Sequence, residues 1–260
     1  MAFRLNFKGD LIYLTIPSFE ETGLVKHGFS TRQGGVSRPP YQSLNLGLKK
    51  EDDRASVIEN YKIFCAALGI EPENLVASDQ VHEDHIHVAT CEDRGKGIFR
   101  ESDIKAIDAL ITRDRQVALV TYYADCVPLF FLDVRTPAVG LAHAGWRGTV
   151  SKIGQKTVLK MMEEFGSKPE DILVGIGPCI NSCCYEVDAP VISRLKEAFS
   201  YWDELVTEAG ESKWKLDHVL SNRKQLEEVG VYPHHITESG FCTSCRNDIF
   251  FSHRKDKGKT

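Results

Sequence analysis

The amino-acid sequence predicts an α+β fold built in layers around a mixed β-sheet. Short apolar runs of strand length follow one another along the chain, and only a few longer segments show helical periodicity. A regular alternation of strands and helices would instead indicate a doubly wound parallel sheet. The 260 residues suffice for one large domain or two small ones, and no repeat, low-complexity tract or linker divides them.

Four segments place apolar residues at the spacing of one helical face. Two of them are followed or ended by a glycine, Gly69 or Gly166, and glycine commonly ends helices because it adopts the left-handed conformation without strain. The predicted helices are 54–69, 149–165, 190–199 and 216–229. Shorter apolar runs predict strands at 11–16, 75–77, 86–89, 108–111, 117–122, 129–133, 138–142 and 172–176.

Composition and charge exclude several classes of function. The net charge of -5 disfavours binding to the phosphate backbone of nucleic acids. The longest apolar runs, such as 127–132, are too short to cross a membrane, and residues 1–10 lack the apolar core of a secretion signal. We therefore predict a cytoplasmic protein with neither a nucleic-acid nor a membrane partner. In that reducing compartment, most of the eight cysteines should be thiols or metal ligands.

Three potential metal ligands lie at predicted strand boundaries. His82 and His143 follow predicted strands, and Cys126 lies between two of them. If those strands are neighbours, two imidazoles and one thiolate can bind a zinc ion and leave its fourth position open, as catalytic zinc sites do. The separations of 44 and 17 residues form no local zinc motif. On spacing alone, hydrogen-bonded loop residues remain the alternative.

The residues after His143 suggest a separate anion site. Gly145 and Gly148 let the backbone approach a ligand closely, and a helix beginning near Thr149 would expose free N–H groups. Arg147 adds a guanidinium fork suited to phosphate or carboxylate. The alternative is that Arg147 pairs with a neighbouring loop. A P-loop is excluded because the Gly-Lys-Ser/Thr ending is missing.

Polar residues elsewhere are further candidates for substrate contacts. Arg32 lies in a loop with paired glycines and hydroxyls, and Gln80 lies just before the first of the three potential ligands. Asn45 could bind a base edge or a sugar hydroxyl, although asparagine before Leu-Gly is also a common turn former. Asp125 or Glu186 could relay protons, or each could be a structural partner.

Five further cysteines occur in two groups. One group comprises Cys179, Cys183 and Cys184, and the other is the C-x2-C pair Cys242 and Cys245. Together they could form a second, structural zinc site. However, the spacing of the first group does not match the closely spaced pairs of a zinc knuckle, and we therefore favour thiols that line a loop.

The motifs taken together resemble those of the YfiH-like family. In chain order they are His27-Gly-Phe-Ser-Thr-Arg-Gln-Gly-Gly-Val-Ser, Ser43-Leu-Asn-Leu-Gly, Gln80-Val-His, Ala124-Asp-Cys-Val-Pro, Ala142-His-Ala-Gly-Trp-Arg-Gly-Thr, Gly177-Pro-Cys-Ile with Cys184-Tyr-Glu-Val, and Phe251-Ser-His-Arg-Lys-Asp. The resemblance covers nearly the whole chain, and the His-Ala-Gly-Trp-Arg-Gly and Ala-Asp-Cys segments are highly specific.

This resemblance implies a single domain over residues 1–260, folded as a four-layer α/β/β/α sandwich. It also implies a catalytic zinc ion bound by His82, Cys126 and His143. The family pattern usually continues past Gly-Lys-Thr into an apolar strand, so we expect the closing strand to be missing after Thr260.

The family is variously labelled purine nucleoside phosphorylase, polyphenol oxidase with a laccase domain, and peptidoglycan editing factor. The resemblance therefore implies a zinc-dependent phosphorylase for adenosine, inosine and methylthioadenosine, with adenosine deaminase activity and with phosphate near Arg147. We expect a monomer or a weak homodimer.

Two other activities are weighed against the phosphorylase. One is a zinc or cysteine amidase acting on peptidoglycan precursors, in which metal-activated water or Cys126 attacks an amide. The other, copper-dependent polyphenol oxidation, is disfavoured because a multicopper enzyme needs repeated His-x-His pairs. The chain has one such pair, His85 and His87. Copper could still replace zinc in vitro.

Overall fold

The computed structural model describes residues 2–48 and 51–259. Within them the helices are α1 (Pro17–Glu20), α2 (Arg54–Leu68), α3 (Trp146–Val150), α4 (Ile153–Phe165), α5 (Ala189–Ala198) and α6 (His218–Glu228). The strands are β1 (Arg4–Lys8), β2 (Leu11–Thr15), β3 (Phe29–Ser30), β4 (Leu75–Ala77), β5 (Ile86–Val88), β6 (Ala109–Thr112), β7 (Ala118–Val120), β8 (Val127–Asp133), β9 (Ala138–Ala144), β10 (Ile172–Ile176), β11 (Glu186–Asp188), β12 (Val206–Gly210), β13 (Lys213–Leu216) and β14 (Ile236–Glu238).

None of the helices in these ranges is long and apolar enough to cross a lipid bilayer. The prediction of a missing closing strand concerns the chain from Thr260 onwards, and Thr260 lies outside the described residues.

A six-stranded mixed sheet forms the centre of the fold. Its strand order is β14-β10-β8-β9-β6-β5, with antiparallel pairs in the middle and a parallel pair at each edge. Every residue of β8 is buried, because both faces of the sheet are covered there. This explains why β8 has a nearly continuous apolar sequence rather than an alternating one.

The layers follow the order α/β/β/α. Helices α4 and α6 pack on one face of the central sheet and share a cluster with Leu129 of β8. On the other face, the two-stranded parallel sheet β4-β7 lies between the central sheet and α2. Leu75 of β4 packs in the cluster under α2, whereas the next residue, Val76, packs with Leu110 of β6. The predicted single-domain sandwich with mixed sheets is therefore confirmed.

A three-stranded antiparallel sheet, β1-β2-β3, covers another part of that second face. Leu14 and Ile16 pack there against Phe130 and Leu132 of β8. Leu129 belongs to the cluster on the opposite face. Strand β8 thus supplies alternate side chains to two separate cores, as the two-residue period of a strand requires.

The prediction of one helix over 149–165 is wrong, because the structure has two. Helix α3 ends at Val150 and α4 begins at Ile153. Between them, Lys152 has a left-handed backbone with a φ of 61°, which ends a right-handed helix. The break lets Trp146 of α3 pack with α5 in a separate cluster. Apolar spacing continues across the break, so periodicity did not reveal it.

The sequence also does not predict the small antiparallel sheet β11-β13-β12. Strand β12 is mostly exposed and carries Thr-Glu-Ala-Gly after its first valine, which has little apolar character. Backbone pairing with β13 forms it. Together with α5, this sheet encloses an apolar cluster around Leu195 and Phe199.

A matched pair of leucines tests the assignment of the main core. Leu129 is 0% exposed, whereas Leu159 on α4 is 47% exposed. Leu129→Ala should lower the free energy of unfolding by about 2–5 kcal/mol, because it removes buried methyl groups and leaves a cavity. Leu159→Ala should change it by less than about 1 kcal/mol. Urea denaturation measures both free energies. Equal losses in the two variants would contradict the assignment of Leu129 to the core.

Buried His218 predicts a pH dependence of stability. Complete burial lowers the pKa of His218 to about 3, and the charge of His143 acts in the same direction. Since this folded pKa lies below the unfolded value of about 6.5, stability is unaffected above pH ~6.5 and falls as the pH drops towards 3. Relative to His218→Gln, the free energy of unfolding should decrease by about 1.4 kcal/mol per pH unit in that interval. Urea denaturation at several pH values measures this free energy. If it changed with pH in the same way in both proteins, His218 would not be the source of the pH dependence.

Candidate metal centre and its cavity

His82, Cys126 and His143 converge at one end of the central sheet. Their ligand atoms, one from each side chain, all lie within 4.8 Å of one another. Cys126 comes directly before β8 and His143 is in β9, and these strands are antiparallel neighbours with Pro128 opposite His143. Because of this pairing, Cys126 and His143 lie close together although 17 residues separate them in the sequence. His82 reaches the same point from the loop after β4.

Gly145 borders the three side chains and has little room for a side chain of its own. A Cβ atom at this position would lie 3.1 Å from His82 Cδ2, 3.2 Å from Cys126 Sγ and 3.8 Å from His143 Cε1. Its φ of -66° is ordinary for any residue, so close approach and not backbone conformation favours the glycine. The glycine of the His-Ala-Gly-Trp motif therefore keeps the space beside the three ligands open.

The buried carboxylate of Asp108 positions both histidines. Its Oδ1 lies 2.8 Å from Nδ1 of His143 and accepts the backbone N–H of His82 at 3.0 Å. Its Oδ2 accepts the backbone N–H groups of Val81 and Glu83 at 3.1 Å and 2.9 Å. Because Nδ1 of His143 is engaged by the carboxylate, Nε2 is the nitrogen left for a metal ion.

Two residues at the site have left-handed backbones. His82 has a φ of 66°, and Asp125, one residue before the ligand cysteine, has a φ of 87°. Such conformations cost a non-glycine residue about 1–2 kcal/mol and persist where the surroundings hold them. The Asp108 carboxylate holds the loop around His82. The hydroxyl of Thr243 and the backbone N–H of Arg254 hold the Asp125 side chain, at 2.6 Å and 2.7 Å.

The thiol and the imidazoles influence one another's protonation. Burial disfavours the thiolate of Cys126, but hydrogen bonds from His143 and His82 outweigh it and lower the Cys126 pKa to about 7. Burial likewise disfavours the imidazolium of His143, yet Asp108 and Cys126 raise the His143 pKa to about 9. The pKa of Asp108 is lowered: burial opposes this, but the hydrogen bonds from His143 and the backbone prevail. Near neutral pH, without metal, the site favours a thiolate beside an imidazolium.

This donor set fits a zinc ion and would also accept copper. Imidazole nitrogen and thiolate sulfur are ligands that both metals prefer. Among the residues that the structure describes, no fourth His, Cys, Asp or Glu joins the group, so a fourth position is open to water or substrate. Metal binding displaces a proton from the thiol–imidazole pair, and affinity should therefore rise with pH.

The three ligands form part of the wall of a large cavity. Its volume of about 1640 Å³ exceeds the range of roughly 300–1,000 Å³ that is typical of small-molecule pockets. The wall also includes several aromatic and polar side chains, among them Tyr122, Tyr123, Tyr185, His253 and Arg254. Aromatic surfaces with a few polar groups are the usual lining of a small-molecule site.

Three of the six predicted substrate contacts line this cavity, namely Asn45, Gln80 and Asp125. The amide of Gln80 makes two hydrogen bonds to the backbone of Tyr122, at 2.7 Å and 3.0 Å. The Asn45 amide donates to Asp52, and its oxygen accepts the backbone N–H of Gly47. Asn45 therefore has the turn-forming contacts of the alternative interpretation, and substrate binding by these side chains stays a prediction.

The other three, Arg32, Arg147 and Glu186, are not among the described residues that line the cavity. Arg147 is exposed, its guanidinium lies 4.9 Å from the ring centroid of Trp146, and α3 is only five residues long. Arg32 donates to the carbonyl of Asn247 at 3.1 Å. Glu186 lies 3.8 Å from the Lys215 ammonium. Their roles in substrate binding also stay predictions.

Asp108 is the residue at this site that sequence reasoning misses. Its only signal is a carboxylate in an otherwise apolar run, Ile107-Asp-Ala-Leu-Ile, where a buried aspartate needs partners. Those partners come from the 81–83 loop and from β9, and no local pattern identifies them. Arg254 belongs to the motif Phe251-Ser-His-Arg-Lys-Asp, and the structure shows that it lines the cavity.

Asp108→Asn should weaken the metal centre, because an amide has one oxygen acceptor where the carboxylate has two for its four partners. The orientation of the His143 ring would be lost, and zinc affinity should fall by about 10–100-fold in competition with a chelator. Asp103→Asn is the matched control: the Asp103 side chain is 78% exposed, and its loss should leave the affinity unchanged. Native affinity in Asp108→Asn would disprove the positioning role.

Comparisons with known proteins identify the family of this chain. A family described as multi-copper polyphenol oxidoreductase laccase matches residues 26–260. The chain is similar to the purine nucleoside phosphorylase YlmD of Bacillus subtilis, with 39% identity over 234 residues that cover 90% of this chain and 84% of that protein.

Solved structures show the same fold. The crystal structure of the hypothetical protein YfiH of Bacillus licheniformis matches with a TM-score of 0.93 and 39% identity, covering 99% of this chain and 95% of that one. YlmD from Geobacillus stearothermophilus matches with a TM-score of 0.90 and 36% identity, covering 98% and 95%. The family and the relatives extend over most of the chain, and the motif resemblance is confirmed: this protein belongs to the laccase-like YfiH family.

Proposed function

We propose that this chain is a zinc-dependent purine nucleoside phosphorylase that acts on adenosine, inosine and methylthioadenosine and also deaminates adenosine. The observation that carries the proposal is the open group of His82, Cys126 and His143 in the wall of a cavity large enough for a nucleoside. Relatives at 39% identity carry the name purine nucleoside phosphorylase, which supports the same substrate class.

Zinc, when bound, supplies Lewis acidity and a water of lowered pKa. Asp108 holds the His143 ring, and Gly145 keeps the neighbouring space clear. Tyrosine rings in the cavity wall offer apolar faces on which a purine can stack. Burial raises the pKa of Tyr122 to about 12, so its phenol stays neutral at physiological pH. The Tyr122 hydroxyl donates to the Tyr61 hydroxyl at 2.7 Å, because Tyr61 itself donates to the carbonyl of Leu46.

Phosphate needs a cation near the metal ligands. The sequence suggests Arg147, which lies outside the described cavity wall, whereas Arg254, which is exposed like Arg147, lines that wall. The Arg254 backbone is bonded to Asp125, the neighbour of Cys126, and one guanidinium nitrogen donates to the carbonyl of Glu186. Since a guanidinium has five N–H donors, others can reach an anion. We therefore favour Arg254 as the phosphate site, with Arg147 as its competitor.

Incubation with inosine, with and without phosphate, tests the proposal. We expect free base and ribose 1-phosphate when phosphate is present and little base without it, because phosphate is the nucleophile. Cys126→Ala should lower kcat by at least about 100-fold, and Cys91→Ser, at an exposed cysteine, should leave it unchanged. Removal of metal by a chelator should abolish the activity and added zinc should restore it. Base release that does not depend on phosphate would refute phosphorolysis.

The same assay locates the phosphate. Arg254→Gln should raise the KM for phosphate by about tenfold, the loss of roughly 1.4 kcal/mol from a charged hydrogen bond, with little effect from Arg147→Gln. A larger rise in the KM for phosphate in Arg147→Gln than in Arg254→Gln would instead indicate that phosphate binds at the start of α3.

The lowered pKa of Cys126 beside His143 favours a second candidate, an amidase acting on peptidoglycan precursors. A thiolate next to an imidazolium is the arrangement of nucleophilic cysteines. Release of an amino acid from a nucleotide-linked muramyl peptide would reveal this activity. A cysteine amidase would keep its activity after metal removal, whereas the proposed phosphorylase would not.

The positions of the remaining histidines give less support to polyphenol oxidation by several copper ions. His85 lies beside Glu83 and His87 beside Asp93, each at 3.2 Å. Neither histidine joins a group of potential metal ligands within the described ranges. A multicopper cluster requires more histidines together than the three-residue group contains.

A further inference from the structure

We propose that Cys183, Cys184, Cys242 and Cys245 form a second metal site that binds one zinc ion through four thiolates and has a structural role. The four Sγ atoms all lie within 4.8 Å of one another. This four-cysteine site is separate from the three ligands of the candidate catalytic centre, and the proposal does not depend on the catalytic function.

The topology of the central sheet brings these cysteines together. Strands β10 and β14 are parallel neighbours, so the loops that follow them leave the same end of the sheet. Cys183 and Cys184 lie in the segment after β10, and Cys242 and Cys245 lie in the segment after β14. A backbone bridge between Cys179 and Cys242 keeps the two segments side by side beyond the strands.

The sulfur separations match a tetrahedral metal site better than a disulfide. Cys245 Sγ lies 3.5 Å from Cys183 Sγ and 3.4 Å from Cys184 Sγ. The edge of a zinc–tetrathiolate tetrahedron is roughly 3.8 Å for a Zn–S bond of about 2.3 Å. A disulfide would need one partner at about 2.05 Å. Here one sulfur is almost equally far from two others, as ligands around a common ion are.

The backbone accommodates the unusual spacing of the first pair. In an extended strand, adjacent residues point to opposite faces, and Cys183 and Cys184 could not share an ion. They lie instead in a turn, where the N–H groups of Cys184 and Tyr185 both donate to the carbonyl of Asn181 at 2.9 Å. Adjacent side chains in a helical turn diverge by only about 100°, so both sulfurs can lie near Cys245. The spacing that argues against a zinc site in the sequence is therefore no obstacle in the structure.

The surroundings favour a thiolate site that is closed to substrate. The backbone N–H of Asn181 donates to Cys242 Sγ at 3.5 Å, a contact that stabilises negative charge on sulfur. Cys242 is buried, Cys184 is partly buried, and Cys183 and Cys245 are exposed, so an ion can enter from the surface. Four protein sulfurs leave no position for water, which is typical of a structural zinc site and not of a catalytic one.

Cys179, the fifth cysteine of the two sequence groups, does not belong to the site. It is fully buried, and its Sγ lies 3.5 Å from Asn181 Oδ1, to which it donates. Burial raises the pKa of the Cys179 thiol well above its usual value. Cys179 therefore packs as a neutral thiol under the turn.

The second site would brace the candidate catalytic centre. Thr243 lies between Cys242 and Cys245, and its hydroxyl donates to Asp125 at 2.6 Å. Asp125 holds a left-handed backbone directly before Cys126. A metal ion that fixes the 242–245 turn thus also fixes the partner of Asp125. Loss of that ion should loosen the position of Cys126.

Metal analysis of the full chain, purified with zinc and a reductant, tests the proposal. Native protein should contain about two zinc ions per chain, and Cys245→Ser about one. Cys245 is exposed, so its substitution should leave the core intact, which circular dichroism checks. Cys91→Ser, at an exposed cysteine outside the cluster, should retain the native zinc content. His143→Ala should lose only the other ion, so failure of the catalytic centre is distinguishable from failure of this site.

Cobalt provides a readout that does not rely on a cluster variant. In a Cys126→Ala background, bound Co²⁺ should show the strong sulfur-to-cobalt charge-transfer bands of a tetrahedral thiolate site, and Cys245→Ser should remove them. The proposal is overturned if Cys245→Ser contains as much zinc as native protein. It is also overturned if protein alkylated directly after purification in reductant shows a disulfide between any two of the four cysteines.

Discussion

Asp108, directly before β6, is fully buried, and its two carboxylate oxygens accept four hydrogen bonds. Three come from the backbone of the 81–83 loop and one from the histidine of β9. Burial of a carboxylate is costly unless such donors compensate it. Any movement of the loop or of the His143 ring would leave the charge partly unpaired. The positions of His82 and His143 follow from that constraint, and the left-handed backbone of His82 is held by it.

The central sheet explains why both cysteine-containing groups lie at the same end of the molecule. Antiparallel β8 and β9 bring the start of one strand beside the end of the other. Strand β10 ends at the same edge, because its last residue, Ile176, pairs with Leu129 near the start of β8. Strand β14 runs parallel to β10 and ends there too. The hydrogen bond from Ile180 to the carbonyl of Asp125 links the two groups across this edge.

Much of the secondary structure could be predicted because it depends on near neighbours. The sequence predicts α2 within one residue, ended by Gly69 in the left-handed conformation, and it predicts β10 with its observed bounds. Periodicity failed where local signals are weak or misleading, as at the break around Lys152 and in the exposed strand β12. The polar candidates were harder to interpret: Asn45 and Gln80 bond to nearby backbone, and Arg147 lies over Trp146.

By itself, the sequence determined the layered α+β class, the residue types that can bind a metal ion, and the motifs that place the chain in its family. Only the tertiary structure decided which of these residues meet. It showed that Asp108 orients His143, that Arg254 and not Arg147 lines the cavity, and that four of the five clustered cysteines converge. The physical reason is range: propensity and periodicity act over a few neighbouring residues, whereas a buried charge or a ligand set is completed by groups that only strand pairing and packing bring together.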